Sequence, residues 1–248
     1  PVRLYCRRQL RLLMPLVRGG LPYVGDDREV TRRLARMSEQ TGDPTLRVWT
    51  PPRQIAFGRR DSSAEGYERA REIAVDHGYT PVERSVGGRA VPYTGTTVAF
   101  AIAVPIEDER SGIEARYRDA TSSLFRAIET VGAAVSRGEP DRSFCPGEHS
   151  LQGSGKIAGI AQRVRRESAL VGGCVIVSES DQRDVSAVLA PVYAELGVPF
   201  DPASVGSIEA AGGTADVERA VDAIETAFVD GREVTRVSAE ETLCGDSL

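Results

Sequence analysis

The chain has 248 residues, with 36 acidic and 31 basic side chains and a formal charge of −5. At 41% hydrophobic it can bury a full core, which sets aside a disordered protein. Apolar runs such as Thr97 to Pro105 fall far short of the ~20 residues of a membrane span, and the net acidic balance sets aside general nucleic-acid binding.

The first twenty residues carry five arginines and Pro15 but no clean apolar stretch ending in small residues, so no signal peptide is expected and the chain reads as soluble and cytoplasmic. Asp26 or Asp27 can cap a first helix with Val30, Leu34 and Met37 on one face and Gly42 at its end. Leu46 to Thr50 and Gln54 to Phe57 read as short strands separated by Pro51-Pro52. Ser62 or Ser63 opens a second helix carrying Tyr67, Ala70 and Ala74, closed by Gly78. Strands follow at Val82 to Ser85, Ala90 to Tyr93 and Thr96 to Val104, the last two around a turn at Thr94-Gly95.

Ile113, Tyr117, Leu124, Ile128 and Val131 mark the best amphipathic helix. A loop from Gly138 to His149 leads to a hairpin of Lys156 to Val164 and Ala169 to Ser178. Helices at Val185 to Leu196 and Asp216 to Phe228 complete the chain. Short strands in hairpin succession, broken by single long helices, predict an α+β fold with a mixed central sheet flanked by helices. The expected organisation is a catalytic domain over residues 1–178, with 179–248 a short helical C-terminal appendage packed on it.

The basic residues carry the first functional signal. Lys156 is the sole lysine, and every other basic residue is arginine. Genome composition or a high-salt habitat accounts for the bias, which replaces lysine wherever arginine serves equally well. A lone survivor suggests a site that needs a compact ammonium, although chance survival stays open at this point. The four cysteines (Cys6, Cys145, Cys174, Cys244) are scattered, with no Cys-x-x-Cys pair and no disulfide scaffold. His77 and His149 are the only histidines, and Cys145, His149 and Cys174 would make an irregular zinc set, so no metal site is expected.

Three glycine segments remain. Gly153-Ser154-Gly155-Lys156-Ile157-Ala158 matches the dinucleotide fingerprint formally, but a strand pattern follows where a helix belongs. A P-loop fails as well, because Ile157 follows Lys156 and Ser150 stands where the first glycine belongs. In Glu83-Arg84-Ser85-Val86-Gly87-Gly88-Arg89-Ala90-Val91, a strand ends in paired glycines between two arginines; this either cradles an anion or is an ordinary exposed turn. Gly172-Gly173-Cys174 interrupts an apolar strand, which marks either a packing bulge or the close approach of a ligand.

The order of these features resembles the biotin/lipoate protein ligase superfamily, specifically its lipoate–protein ligase A and octanoyltransferase branch, over roughly Arg53 to Ser178. The Arg-x-x-Gly-Gly-Gly/Arg-Ala-Val loop of that branch matches Arg84, Gly87, Gly88, Arg89, Ala90 and Val91, and the resemblance implies acyl and phosphate binding there, with Val86 and Tyr93 beside it. Its single catalytic lysine, in Lys-hydrophobic-x-Gly-x-Ala, matches Lys156, Ile157, Gly159 and Ala161. Tyr93 and Gly172-Gly173-Cys174 stand where the ligases carry a histidine and a His-Gly-Thr/Ser motif.

The resemblance implies a catalytic domain of the biotin/lipoate ligase type. It would use ATP with Mg²⁺ to activate lipoate or octanoate as an acyl-AMP, and pass the acyl group to a lysine of an acceptor. Lys156 would stabilise both steps, and Lys156→Ala is expected to leave a folded, inactive protein. The first alternative is an ATP-independent octanoyltransferase using a thioester on Cys145, with His149 four residues on to favour the thiolate, or on Cys174. The second is a non-catalytic lipoyl-binding domain or one subunit of a two-part ligase. Implied partners are the lipoyl-acceptor domain of a 2-oxoacid dehydrogenase or the glycine-cleavage carrier protein, with acyl carrier protein or a separate accessory subunit as further candidates.

Overall fold

A computed structural model describes residues 13–84 and 88–245. In chain order the first elements are β1 (Met14–Arg18), α1 (Val24–Thr41), β2 (Thr45–Trp49), β3 (Gln54–Phe57), α2 (Arg59–Ser62) and α3 (Tyr67–Asp76). Next come β4 (Thr80–Glu83), β5 (Val91–Tyr93), β6 (Val98–Pro105), α4 (Ile113–Thr130), β7 (Ser136–Arg137) and β8 (Ser150–Gln152). The chain closes with β9 (Lys156–Val164), β10 (Ser168–Val175), α5 (Glu179–Glu195), α6 (Val217–Val229), β11 (Val234–Ser238) and α7 (Ala239–Cys244).

Eight strands form a mixed sheet in the order β11-β1-β2-β6-β10-β9-β8-β7, and β4-β3-β5 make a second, smaller sheet. The fold is α+β, with a large mixed sheet flanked by helices. None of the helices among the described residues is long and apolar enough to cross a membrane.

Local chemistry accounts for most of these elements. Val30, Leu34 and Met37 form the buried face of α1, and Gly42 ends it at φ 73°. The N-cap is Tyr23 rather than Asp26 or Asp27; the Asp27 carboxylate instead accepts from the Leu21 amide. Helix α5 begins at Glu179, six residues before Val185, because Ser178 and Asp181 form a reciprocal capping box. Residues after 178 are not only helical. Strand β11 pairs in parallel with β1, and Val221, Ile224 and Phe228 of α6 pack into the core beneath the large sheet.

The strand register explains where a cavity opens. Cross-strand partners place Trp49, Ala99, Cys174 and Gly159 in one row, and Arg47, Ala101, Gly172 and Ala161 in the next. With a side-chain period of two, both rows share the sheet face that meets α1. The opposite face carries Leu46, Val48, Phe100 and Val171 and packs tightly against α4 and α6. Alanine and glycine cannot fill a helix-on-sheet layer, so a cavity of about 310 Å³ remains between α1, the large sheet and the small sheet.

Candidate active site

Two buried anchors frame the cavity. On its α1 side, the Arg47 Nη2 donates to Asp27 Oδ1 at 2.6 Å, and Trp49 Nε1 donates to Asp27 Oδ2 at 3.0 Å. Arg47 is fully buried and stacks over the Trp49 ring. This pair pins the first turn of α1 to β2, and both Asp27 and Trp49 line the cavity. Nothing in the local sequence pattern couples Asp27 to Arg47, twenty residues away.

The second anchor is Lys156, at the start of β9 and 1% exposed. Its Nζ donates to Glu139 Oε1 at 2.8 Å, to the Phe144 carbonyl at 2.9 Å and to the Cys145 carbonyl at 3.0 Å. Its three N–H groups are therefore spent on one loop. Glu139 accepts in addition from Ser143 Oγ and the Gly147 amide, so Lys156 and Glu139 together close the segment between β7 and β8. Gly159 packs closely beside them, since a Cβ there would stand 3.2 Å from Lys156 Cε and the clamped stem would have to give by a few tenths of an ångström.

That loop presents Cys145 in the left-handed region at φ 41°, a conformation that costs a non-glycine residue about 1–2 kcal/mol. The conformation is held from every side. The Cys145 amide donates to Tyr193 Oη at 2.8 Å, and Tyr193 Oη donates to the Ala90 carbonyl at 2.9 Å. The sulfur accepts from the Arg89 amide and from Arg84 Nη2, both at 3.3 Å. Arg84 Nη2 also donates to the Arg89 carbonyl. Burial is the largest single influence on Arg84 and opposes its charge, but the Cys145 sulfur together with the Tyr93 and Tyr193 phenols outweighs it, and the guanidinium's pKa is raised on balance.

Among the described residues, Arg84, Gly88 and the Arg89 amide thus surround the sulfur. Gly88, at φ 95°, lies against both groups: a Cβ there would stand 2.8 Å from Arg84 Nη2 and 2.8 Å from Cys145 Sγ. Gly58 supports it from behind, since a Cβ at 58 would stand 2.0 Å from the Gly88 carbonyl oxygen. Buried Asp61 accepts from the Gly58 amide at 2.9 Å and from Arg89 Nη1 at 3.2 Å.

The structure brings many of the expected residues together. Arg84, Val91, Tyr93, Cys145, Lys156, Gly159, Ala161, Gly172, Gly173 and Cys174 line one cavity. Gly173 is needed for close strand approach, because a Cβ there would stand 2.5 Å from the Gly159 carbonyl oxygen. Others fall elsewhere. Val86 and Gly87 lie outside the described residues. Ile157 is wholly buried in the core of the large sheet, and Ala90 in the core between α3 and α5. The Arg89 side chain turns to Asp61, leaving only its amide at the sulfur.

His149, expected beside Cys145, stacks instead on the Tyr117 ring at 3.7 Å between centroids. Cys174 is buried, and burial pushes its thiol up to about 12, which leaves it protonated near neutral pH. Burial raises the Tyr93 phenol as well. Glu139, Tyr193, Gly58 and Asp61 are the site residues that sequence reasoning missed. Glu139 and Gly58 had weak local signals, a carboxylate opening the loop and a glycine ending a strand.

Residues 28–229 match the family described as the lipoyl protein ligase A/B catalytic domain. The octanoyl-[GcvH]:protein N-octanoyltransferase of Kyrpidia tusciae is 33% identical over 155 residues, covering 60% of this chain and 50% of that protein. Its counterpart from Geobacillus kaustophilus is 29% identical over 122 residues, covering 49% and 43%. The chain spans about half the length of the curated relatives it matches.

Among solved structures, lipoate-protein ligase A bound with ATP superposes at a TM-score of 0.72 with 17% identity, over 94% of this chain and 92% of that one. A bi-partite lipoate protein ligase of Thermoplasma acidophilum gives 0.63 with 15% identity, over 93% and 90%. These likenesses are ones of fold. Together with the sequence match, they assign the chain to the lipoyl protein ligase A/B catalytic domain family, in the lipoate–protein ligase A and octanoyltransferase branch of the biotin/lipoate protein ligase superfamily.

Proposed function

We propose that this chain moves an octanoyl or lipoyl group from one protein carrier to another through a thioester on Cys145, without ATP. The observation that carries this reading is the Cys145 sulfur itself. It is held in a left-handed conformation on the wall of a cavity floored by alanine and glycine, accepting from the Arg89 amide and the Arg84 guanidinium. The relatives, octanoyl-[GcvH]:protein N-octanoyltransferases, suggest the reaction class, with an octanoylated carrier as donor and a protein nitrogen as acceptor.

The Cys145 sulfur attacks the acyl carbonyl carbon. A carbon–sulfur bond forms, the carbon–nitrogen bond to the donor lysine breaks, and that amine leaves with the thiol proton. In the second half the acceptor lysine amine attacks the thioester. A carbon–nitrogen bond forms, sulfur leaves, and the proton given up by the amine returns to it. The Arg84 guanidinium and the Arg89 backbone amide stabilise the charge on departing sulfur, because hydrogen bonds to an ionised acceptor are about twice as strong as neutral ones. The alanine and glycine floor accommodates the acyl tail, and 310 Å³ lies at the small end of ordinary ligand pockets. Lys156 positions the nucleophile by gripping its peptide.

An ATP-dependent ligase would need cations free for phosphate. Arg84 is engaged by Cys145, Arg89 by Asp61 and Lys156 by Glu139, so the cations nearest the sulfur favour the thioester route over one through ATP and Mg²⁺. The test is to mix the chain with octanoylated glycine-cleavage carrier protein and an unmodified lipoyl domain of a 2-oxoacid dehydrogenase, without nucleotide. The acceptor is then weighed intact. Octanoylation lost in Cys145→Ser supports the reading. Octanoylation that requires free octanoate and ATP restores the ligase, and silence in both mixtures favours a carrier-binding subunit.

A further inference from the structure

The cavity has an unusual charge. Six cationic side chains line it against a single carboxylate, Asp27, which is itself paired with Arg47, in a chain of net charge −5. Arg84 and Lys156 are turned inward to the Cys145 loop. The other four stand apart from that loop. Arg28 and Arg32 lie one turn apart on α1, and Arg163 and Arg165 lie at the end of β9 and just beyond it. Arg32 and Arg165 are exposed, and Arg28 and Arg163 are half-buried.

Glu29 is shared among Arg32, Arg33 and Arg36, and the hydrogen bonds from Arg32 and Arg36 hold its carboxyl down at about 2. One carboxylate thus serves three guanidinium groups.

We propose that this arginine rim is the docking surface for a carrier domain whose modified lysine is surrounded by acidic residues. The inference rests on the protein-to-protein transfer proposed above, since only a protein-borne acyl group needs a docking surface outside the cavity. A polyphosphate is the less fitting occupant. It requires several donors converging on one point, whereas these arginines come from two separate elements. Arg28 already donates to the Glu83 carbonyl, and Arg32 to Glu29. A protein surface needs only the summed field, which raises encounter rates and weakens with salt.

The test measures binding before chemistry. A lipoyl domain with acidic residues around its lysine, left unacylated, is titrated onto the intact chain and onto the double variant Arg32→Glu/Arg165→Glu. Wild-type affinity should fall at least about tenfold between roughly 0.05 M and 0.5 M salt, and the variant should bind about tenfold more weakly with a flattened salt dependence. Neutralising the domain's own carboxylates should reproduce the loss on wild type. Equal affinity of wild type and variant overturns the proposal. So does a variant that loses inorganic triphosphate binding while keeping the domain, which would make the rim a phosphate site. Near-identical circular dichroism and melting temperature exclude misfolding of the variant; should it fail, Arg165→Gln alone is titrated and should still weaken binding by two- to threefold. If acyl transfer fails while this binding holds, the Cys145 mechanism falls and the surface stands.

Discussion

Replacing Lys156 by methionine keeps the length of the stem and removes the charge. Three consequences follow from the geometry: the Glu139 carboxylate loses its cation, and the Phe144 and Cys145 carbonyls lose donors at 2.9 and 3.0 Å. Breaking a fully buried ion pair costs about 3–5 kcal/mol. The Glu139 side chain is 21% exposed, so water recovers part of that loss, and about 3 kcal/mol is the expected net cost. In a chain of this size it corresponds to a fall in Tm of about 6–12 °C. The double variant Lys156→Met/Glu139→Gln removes the stranded carboxylate and should recover at least ~1 kcal/mol. Denaturant titration of the four proteins closes the cycle. A Lys156→Met protein as stable as wild type, or strictly additive effects, would refute the clamp. The burial of Lys156 thus adds a stability cost to the folded, inactive Lys156→Ala protein that the sequence leads one to expect.

Tyr193→Phe keeps the ring but leaves the Cys145 amide and the Ala90 carbonyl without that partner. Acyl-enzyme formation in a single turnover should slow about tenfold, equivalent to ~1.4 kcal/mol at the transition state, and an unchanged rate would show that the tyrosine positions nothing. Gly58→Ala should abolish most activity, because its Cβ would press on the Gly88 carbonyl, whereas Gly25→Ala, with nothing within 4 Å, should leave activity and fold intact. Cys174, with its thiol pushed up to about 12, stays protonated through neutral pH and becomes a thiolate only as pH rises toward that value. Iodoacetamide at about pH 8 should therefore label Cys145 in the folded protein and reach Cys174 only after unfolding, as peptide mapping would report.

What could be read from the chain follows the range of the interactions. Helices α1 and α4 and the hairpin of β9 and β10 announce themselves through local periodicity, and Lys156 stands out by composition alone. β1 and β11 do not. Each has five residues, β1 contains Pro15, and their parallel pairing joins the two ends of the chain. The glycine loop was legible as a candidate anion cradle, yet the group its Arg89 amide meets is the sulfur of Cys145, 56 residues away. Arg84 and Cys145 were each visible as candidates, one for phosphate and one for the alternative chemistry. Their contact is what changes the order of the two mechanisms. Tyr193 and Asp61 carry no local mark because each acts across the fold.

The most direct test of the central claim is a rapid-quench digestion after the chain meets octanoylated carrier protein, with mass spectrometry of the peptide spanning residues 138–149. The account predicts an octanoyl group on Cys145, appearing before acceptor product and disappearing when unmodified lipoyl domain is added. Product forming at full rate with that peptide unmodified throughout would contradict it.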